Sequence, residues 1–508
     1  MASKRVIVVG TGPGGGTAAM VLAKHGFEVE IFEKQPYVGG RTSAIHLGDY
    51  TFDLGPTFLM MVDVLEDAFR AAGRDVHEYL DIRRIEPMYH LRFGDGRSFY
   101  PTTDPTGMKA EIERLFPGQS GRFDRYMSYE QRKYDRVLPC LQVPYDELTA
   151  YASKRFLRAI PYLDAHRSLF DHLGRYFDHE DLKISFTFQA KYLGMSPWKC
   201  PATFSIISFI EHSGGIYHVI GGLNRITAAM AKVAQEHGAR LHLGTGVKRL
   251  LLEGRRAVGV ELDSGEQVRA DHVVVNADFG TFMTRLVPHT AARKYTPAKL
   301  SKMGLSCSGF MLYLAVDKQY DLAHHNILFA QDYKQNVTEI ADTLQLSDDP
   351  SVYVQNASRT DPTLAPPGCS TLYVLVPAPN RRSGIDWSEA KAEYRERVLR
   401  ILEQKAGLTD LRQHIVAERV VTPADFETDK LVYQGAVFNL AHTVGQMLWM
   451  RPHNKFEEFA GCWLAGGGTH PGSGLPTIIQ SGVISAEGIL AQEGAQPGAP
   501  GPSAGATP

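Results

Sequence analysis

The chain has 508 residues and is 44% hydrophobic, so it can bury a large core across two or three domains. Its net charge of -2 excludes the strongly basic surface that binds nucleic acid, and no nucleic-acid partner is expected. Five cysteines, an odd number without metal-like spacing, favour a reducing, cytoplasmic compartment and predict no metal site. No apolar run reaches the roughly eighteen residues of a spanning helix, which leaves attachment at a membrane surface open.

The chain begins with the pattern of a strand, a glycine turn and a helix. Residues 6–9 predict a buried strand, and residues 17–25 predict a helix. Between them stands Gly10-x-Gly12-x-x-Gly15. Its first glycine permits a tight turn, the second lets the backbone approach a ligand, and the third allows the helix to pack on the strand. The start of such a helix offers free N–H groups to a pyrophosphate.

A second short strand, residues 29–32, ends at Glu33. An acid about twenty residues beyond the glycine turn accepts hydrogen bonds from ribose hydroxyls. The unit therefore predicts a dinucleotide site that includes Gly14, Glu33 and Lys34. Both NAD and FAD fit such a unit.

A second glycine turn favours one of these cofactors. Gly39, Gly40 and Arg41 are followed by FDLGPT at residues 52–57, whereas an NAD unit would continue with another strand and helix. The arginine can neutralise a pyrophosphate or line a flavin edge. A surface loop with a solvated arginine is the alternative interpretation. We expect FAD, with further contacts from Gly40, Arg41, Gly55, Pro56 and Thr57.

The middle of the chain divides into helical and strand-rich parts. Residues 93–101 predict a hairpin. Residues 150–212 predict helices in which aromatic, lysine and arginine side chains are mixed, a pattern that suits either a membrane-docking surface or an ordinary helical core. The strand that holds Val247 is expected to return to the first domain and contact the adenine. Residues 291–450 alternate strands and helices, as in a separate substrate domain.

A glycine-rich turn near the C-terminus is the second strong motif. LAGGGTHPGSGLPTIIQ, residues 464–480, predicts a short strand, a nest of backbone N–H groups and a helix that starts near Pro476. Its dipole would stabilise negative charge on a reduced flavin. His470 suits either a loop-shaping role or proton transfer. The cofactor contacts predicted in this segment are Gly467, Gly468, Thr469, His470, Leu475, Thr477 and Ile478.

The same C-terminal segment carries a family resemblance. GTHPGSGLP (468–476) is similar to the signature of bacterial phytoene desaturases, the carotenoid dehydrogenase family within the FAD amine-oxidase superfamily. LAHHNILF (322–329), LAPPGCSTLYVLVPAPN (364–380) and MRPHNK (450–455) resemble that family too. Departures at residues 477–480 and in YHVIGGL (217–223) leave the exact substrate open but not the class.

The resemblance implies an α/β fold with a Rossmann-like FAD-binding domain, a mixed-sheet substrate domain and a helical membrane-docking region. The expected FAD-binding segments are 1–150, 221–290 and 451–493. Residues 151–220 form the docking region in this scheme, 291–450 the substrate domain and 494–508 a disordered tail.

The function implied by the resemblance is an FAD-dependent desaturase that removes a hydride and a proton from an apolar isoprenoid such as phytoene. Quinone or dioxygen would accept the electrons, and the protein would dock on a membrane as a peripheral protein. The family's arginine near the flavin is matched by Arg158, although its neighbouring acid is replaced by Arg155. Related isomerases, saturases, oxidases or amine oxidases, and a non-catalytic isoprenoid carrier on the same fold, are the alternatives.

Overall fold

A computed structural model describes residues 4–495 of the chain. Its strands are β1 Arg5–Val9, β2 Glu28–Phe32, β3 Ala44–Leu47, β4 Tyr50–Asp53, β5 Ile82–Ile85, β6 His90–Arg92, β7 Ser98–Phe99, β8 Ile216–Val219, β9 Arg240–His242, β10 Val247–Glu253, β11 Arg256–Leu262, β12 Gln267–Arg269, β13 His272–Val275, β14 Ser308–Val316, β15 His325–Leu328, β16 Val352–Asn356, β17 Ser370–Ala378, β18 Ile415–Val421 and β19 Cys462–Leu464.

Its α-helices are α1 Pro13–Lys24, α2 Val62–Ala71, α3 Pro105–Leu115, α4 Ser120–Leu141, α5 Lys154–Ala159, α6 Leu169–Leu173, α7 Glu180–Ser185, α8 Ile206–Gly214, α9 Asn224–Glu236, α10 Phe279–Thr281, α11 Pro297–Leu300, α12 Tyr333–Thr338, α13 Trp387–Lys405, α14 Leu411–His414, α15 Pro423–Thr428 and α16 Leu475–Gln492.

A five-stranded parallel sheet forms the first layer, with strand order β19-β13-β1-β2-β9. Its central strands are apolar and buried on both faces, as expected for a parallel sheet covered by helices. Helix α1 begins at Pro13, four residues before the predicted start. The reason is that proline needs no hydrogen-bond partner at the first helical position.

Small residues let the helices of this layer approach closely. Helix α1 is buried along its whole length except at Lys24, between α9 and α16. A Cβ atom on Gly482 of α16 would lie 2.8 Å from Cβ of Thr17, so this crossing depends on glycine. The C-terminal helix is thereby fixed against the N-terminal one.

A seven-stranded mixed sheet forms the second layer, in the order β18-β14-β17-β16-β15-β6-β7. Five of its strands lie within the segment predicted as the substrate domain. The other two, β6 and β7, come from the first 150 residues, because β6 pairs in parallel with β15. The boundary predicted at residue 150 therefore does not separate the two sheets.

The helices of residues 150–212 are confirmed as short segments, and the predicted hairpin at 93–101 is confirmed as β6 and β7. Together with α3 and α4 these segments enclose an aromatic-rich core. Within residues 4–495, no helix combines the length and apolar character needed to cross a membrane. The tail predicted at 494–508 falls outside the described residues except for its first two positions.

Candidate functional site

The first glycine turn is shaped by one side chain that follows β13. A Cβ atom on Gly12 would lie 2.5 Å from Oδ1 of Asn276, and one on Gly15 would lie 2.9 Å from its Cβ. The same atom on Gly15 would also collide with the carbonyl oxygen of Gly10, which has a φ of 92°. No other residue type fits these positions without moving the backbone. The sequence did not single out Asn276.

The acid at the end of β2 joins the two N-terminal glycine turns. Oε2 of Glu33 accepts hydrogen bonds from the backbone N–H of Thr11 at 3.0 Å and from its hydroxyl at 2.7 Å. That hydroxyl in turn accepts one from the N–H of Gly39 at 3.0 Å. Cα of Gly12 lies 3.9 Å from the Cβ position of Gly40. The two turns therefore form one backbone-lined surface.

The glycine turns from the two ends of the chain meet at the start of α1. A Cβ atom on Gly14 would lie 3.0 Å from the backbone nitrogen of Gly466. The amide of Asn276 donates a hydrogen bond to the carbonyl of Ala465 at 2.8 Å, and the N–H of Gly466 donates to Oγ of Ser481 at 2.7 Å. The N-terminal and C-terminal motifs thus share one site.

A buried arginine forms hydrogen bonds with the backbone of the C-terminal turn. Arg451 is fully buried, and its guanidinium donates to the carbonyls of Gly467 at 2.6 Å and Thr469 at 3.0 Å. It also donates to the carbonyls of Gln446 at 3.0 Å and Leu440 at 3.2 Å. Burial lowers the pKa of Arg451 to about 9. The motif MRPHNK was noted as a resemblance, but its arginine was not predicted as a site residue.

The ring of His470 is enclosed by protein. Burial, and then the charge of Arg451, lower the pKa of His470 to about 3, so the ring is neutral. It packs edge-on against Tyr145 with ring centroids 5.0 Å apart, and its carbonyl accepts a hydrogen bond from the amide of Asn454 at 2.9 Å. This placement favours the loop-shaping role over proton transfer.

A cavity of about 350 Å³, here called the helix cavity, lies between the helices of residues 137–210 and the C-terminal turn. Within the described residues, no Asp, Glu, Lys or Arg lines it. Its polar contributors are few, and one of them, His442, already accepts the N–H of Ser473 at 2.9 Å through Nε2. Such a surface can bind an apolar molecule only through burial.

A second cavity of about 290 Å³, here called the sheet cavity, lies between the seven-stranded sheet and the segments 41–60 and 473–478. Among the predicted cofactor residues, it is lined by Arg41, Gly55, Pro56, Thr57, Leu475 and Ile478. The 18-residue helix α16 starts at its wall with Gly474 as an N-cap that has no side-chain partner. The helix cavity and the sheet cavity share the lining residues Met60, Tyr192, Ser473, Gly474 and Pro476.

Three further contacts hold the FDLGPT loop at the sheet cavity. The buried carboxylate of Asp53 accepts the N–H groups of Leu223 and Asn224, each at 2.9 Å, at the start of α9. Burial raises its pKa, although these bonds oppose the shift. The hydroxyl of Tyr373 donates to the carbonyl of Gly55 at 2.8 Å. Asp53 is thus a structural residue of the motif.

The other predicted residues lie at different depths. Gly467, Gly468 and Thr469 are buried and are not among the residues that line either cavity, whereas Thr477 lines the helix cavity. Lys34 is exposed next to Glu33, and Val247 opens the separate three-stranded sheet β10-β11-β12.

Arg158 does not lie where the catalytic prediction needs it. It is exposed on α5, and it is absent from the residues that line either cavity within the described chain. Its helix turns Phe156 towards the helix cavity instead. The structure therefore gives Arg158 a surface position and does not favour its catalytic assignment.

The residues present fit a dinucleotide that carries a flavin. The uncapped first turn of α1, the adjacent backbone of the second glycine turn and Arg41 offer positive partners for a pyrophosphate. The amide oxygen of Asn276 is buried and without a hydrogen-bond partner, beside Gly12. The N-terminus of α16 meets the sheet cavity, where a reduced flavin would place negative charge.

Comparison with known proteins agrees with this arrangement. Residues 15–490 match the family described as flavin containing amine oxidoreductase. The chain belongs to this family. It is therefore a flavin-dependent oxidoreductase, and the FAD expected from its glycine turns is its cofactor.

Curated relatives place the chain more narrowly within that family. It is 47% identical, over 96% of its length and 95% of the relative's, to a 4,4'-diapophytoene desaturase (4,4'-diapolycopene-forming) from Methylomonas sp. It is 36% identical to a zeta-carotene-forming phytoene desaturase from Myxococcus xanthus, over 97% of this chain and 95% of the relative. The predicted family resemblance is thereby confirmed.

Solved structures share the fold at low sequence identity. An oxidoreductase from Methanosarcina mazei superposes with a TM-score of 0.65 at 18% identity, over 96% of this chain and all (100%) of the other. A putrescine oxidase bound to putrescine gives a TM-score of 0.60 at 15% identity, over 96% of this chain and 99% of the other. The expected α/β class with a mixed second sheet is confirmed.

Proposed function

We propose that the protein is an FAD-dependent desaturase of an apolar isoprenoid of the carotenoid type. The observation that carries this proposal is the helix cavity, which has no charged lining residue and meets the sheet cavity at Gly474 and Pro476. An apolar chain gains about 25 cal/mol per Å² of buried surface, so such a cavity can hold a hydrocarbon without any polar handle. The curated relatives named above are desaturases of this class of compound.

When bound, the flavin supplies the two-electron oxidation that converts a carbon–carbon single bond into a double bond. The residues of this chain position both partners. The proposed flavin contacts are the residues around Gly12, Gly14, Gly40 and Arg41 at the pyrophosphate, Glu33 at the ribose, and Leu475 and Ile478 at the ring. The apolar walls exclude water and hold the substrate against the junction of the two cavities.

The amine-oxidase alternative is less well supported by the cavities. Within the described residues, neither cavity is lined by a carboxylate that could bind a cationic amine. A non-catalytic isoprenoid carrier would not need the preserved glycine turns and Arg41. Purified carrier would stay colourless after addition of FAD, whereas a desaturase would retain the yellow cofactor.

Expression in cells that accumulate phytoene, or its shorter 4,4'-diapo analogue, tests the function directly. We expect coloured polyenes whose absorption maxima shift to longer wavelength with each added double bond. Cells that keep the colourless precursor, while the purified protein carries FAD, would overturn the proposal. Comparing the two precursors identifies the preferred chain length.

We further propose that the mouth of the helix cavity docks on a membrane. Exposed apolar side chains surround it: Val444 and Met450 also line the cavity, and Leu157 and Ile160 flank the cavity residue Phe156. The exposed basic residues Lys154, Arg155 and Arg158 lie on the same helix α5 or at its start. Apolar side chains beside lysine and arginine suit an anionic lipid surface.

Vesicle flotation tests this docking. Leu157→Glu should reduce binding to vesicles that contain anionic phosphatidylglycerol, because a charge replaces an inserted side chain. Val416→Glu is the matched control, since Val416 is 53% exposed and Leu157 is 55% exposed, but Val416 lies on β18 away from the cavity mouth. Equal binding by both variants would contradict the docking surface. Adding quinone to these vesicles, against dioxygen alone, would identify the electron acceptor.

A further inference from the structure

One lysine in the sheet cavity has no partner for its charge. Lys191 is half-buried, lies within the helical turn of residues 188–193 and lines this cavity together with Arg41. Within residues 4–495 its amine forms neither an ion pair nor a hydrogen bond. Its Nζ atom lies 4.7 Å from the centroid of the Tyr333 ring.

A charged ammonium is costly in such surroundings. Burial without a compensating carboxylate lowers the pKa of Lys191 to about 7. A large fraction of the amine is therefore neutral near pH 7 and keeps a lone pair that can accept a proton. The face of the Tyr333 ring can stabilise the ammonium once it forms.

The other titratable groups of the sheet cavity cannot serve as bases at neutral pH. Arg41 has no free lone pair. Burial raises the pKa of Cys307 to about 12, and it raises the pKa of Tyr192, Tyr353 and Tyr373 well above the ordinary value. All of these side chains are therefore protonated near pH 7.

A buried acid lies close by but does not line either cavity. Glu211 accepts hydrogen bonds from the amide of Gln189 at 2.8 Å and from the hydroxyl of Tyr89 at 3.1 Å. Burial raises its pKa to about 7, so it titrates in the same range as Lys191. A test must therefore separate these two groups.

We propose that Lys191 is the base of the sheet cavity and takes up the proton that the substrate loses during desaturation. This inference rests on the proposed function. The flavin, when bound, would accept a hydride, with its two electrons, from one C–H bond of the substrate. The neighbouring C–H bond gives a proton to the neutral amine of Lys191, and the electron pair left behind forms the new double bond.

Flavin reduction in a single turnover tests the role of Lys191. The holoenzyme is mixed without oxygen with phytoene or its 4,4'-diapo analogue in detergent, and the rate is followed against pH. The wild-type rate should fall about tenfold per pH unit below the pKa of Lys191, because only the neutral amine accepts a proton. In Lys191→Met, flavin reduction should be about 100-fold slower than in the wild type, and its rate should no longer fall as the pH is lowered through this range. The variant should keep its FAD.

Two matched variants make the result specific. Lys191→Met replaces an unpaired, half-buried lysine by an apolar side chain of similar length, so the variant should fold. Lys199→Met removes a surface lysine that pairs with Asp342 at 2.5 Å and should leave rate and pH profile unchanged. In Glu211→Gln, the rate of flavin reduction should still fall below about pH 7, as in the wild type. If the pH dependence of flavin reduction near pH 7 is lost in Glu211→Gln but retained in Lys191→Met, the proposal is overturned.

A chemical readout is independent of turnover. A long-chain aldehyde with cyanoborohydride alkylates neutral amines, and peptide mass spectrometry locates the modified lysines. Labelling of Lys191 should have a midpoint near its lowered pKa, whereas exposed lysines should label with midpoints near pH 10 or above. A wild-type protein that does not reduce its flavin with these substrates would refute the proposed function. An unlabelled Lys191, or a midpoint near pH 10, would instead refute the role of this lysine.

Discussion

The glycine turns and the helix cavity are built by opposite means. In the glycine turns, backbone meets backbone, and one side chain, Asn276, fills the space between Gly12, Gly15 and Gly466. In the helix cavity, side chains from many short helices and the 442–450 loop form the wall. A single added methyl group therefore disturbs the first region, whereas the second tolerates changes that keep its apolar character.

The largest effect is expected at the one side chain on which the C-terminal turn depends. Arg451→Met removes the donor from three buried carbonyls and from the half-buried carbonyl of Gln446, and each unsatisfied buried group costs about 1–3 kcal/mol. We expect the free energy of unfolding to fall by about 4 kcal/mol or more, measured by denaturant titration. Arg285→Met, at an exposed position, is the control and should change it by less than about 0.5 kcal/mol. Equal stability of both variants would contradict this role.

A charge inside the helix cavity tests whether the two regions are independent. Ile207→Glu should cost about 3 kcal/mol in substrate binding, or roughly a 100-fold loss of kcat/KM, because a carboxylate replaces apolar lining. The bound FAD, measured by visible absorption, should be unchanged. Ile207→Leu should retain turnover within a few fold. Loss of FAD from Ile207→Glu would show that the glycine turns and the helix cavity are not independent.

The complementary change lies in the first glycine turn. Gly15→Ala brings a Cβ atom against the Gly10 carbonyl and Asn276, a strain of about 2 kcal/mol that corresponds to roughly 30-fold weaker FAD binding. Fluorescence titration of the cofactor-free protein measures this affinity. Gly121→Ala, where nothing lies within 4 Å of the added atom, should bind FAD normally. Normal affinity in Gly15→Ala would show that the turn is more adaptable than its contacts indicate.

The smallest effect concerns the buried pair of His218 and Asp361. Burial opposes the ionisation of Asp361, but its hydrogen bonds with His218 and Thr363 lower its pKa to about 2. A carboxylate with a lowered folded-state pKa stabilises above its unfolded pKa, and this stability is lost as the pH falls towards 2. Between about pH 5 and pH 3 the wild type should lose about 1 kcal/mol more than Asp361→Asn in denaturant titrations. An equal loss of unfolding free energy in the wild type and in Asp361→Asn would contradict the lowered pKa of Asp361.

The contrast between the two regions also explains what the sequence could predict. Gly10, Gly12 and Gly15 could be singled out in the sequence because a backbone that must turn sharply or approach a ligand restricts the residue type at fixed spacing. The start of α1 was missed because a glycine-rich first turn carries no apolar pattern.

Side chains that contact backbone from another part of the sequence show no such local pattern. Asn276 is 189 residues from the Ala465 carbonyl that it contacts, and the pairing of β13 with β19 brings the two together. Arg451 contacts the carbonyl of Gly467 sixteen residues further along the chain, a spacing that no local pattern marks. Lys191 stands in an ordinary apolar stretch, and nothing in the local pattern shows that its charge lacks a partner. Arg158 was assigned from a motif match that did not include its exposure.

The order of strands in the parallel sheet has a consequence for biosynthesis. Strand β19 and helix α16 lie in the last tenth of the described chain, yet they cover β13 and α1, which leave the ribosome much earlier. Until β19 and α16 have been synthesised, the nascent polypeptide must expose the apolar surface on which α16 packs and an open sheet edge. Such intermediates aggregate readily, so maturation should depend on chaperones and on late uptake of the cofactor.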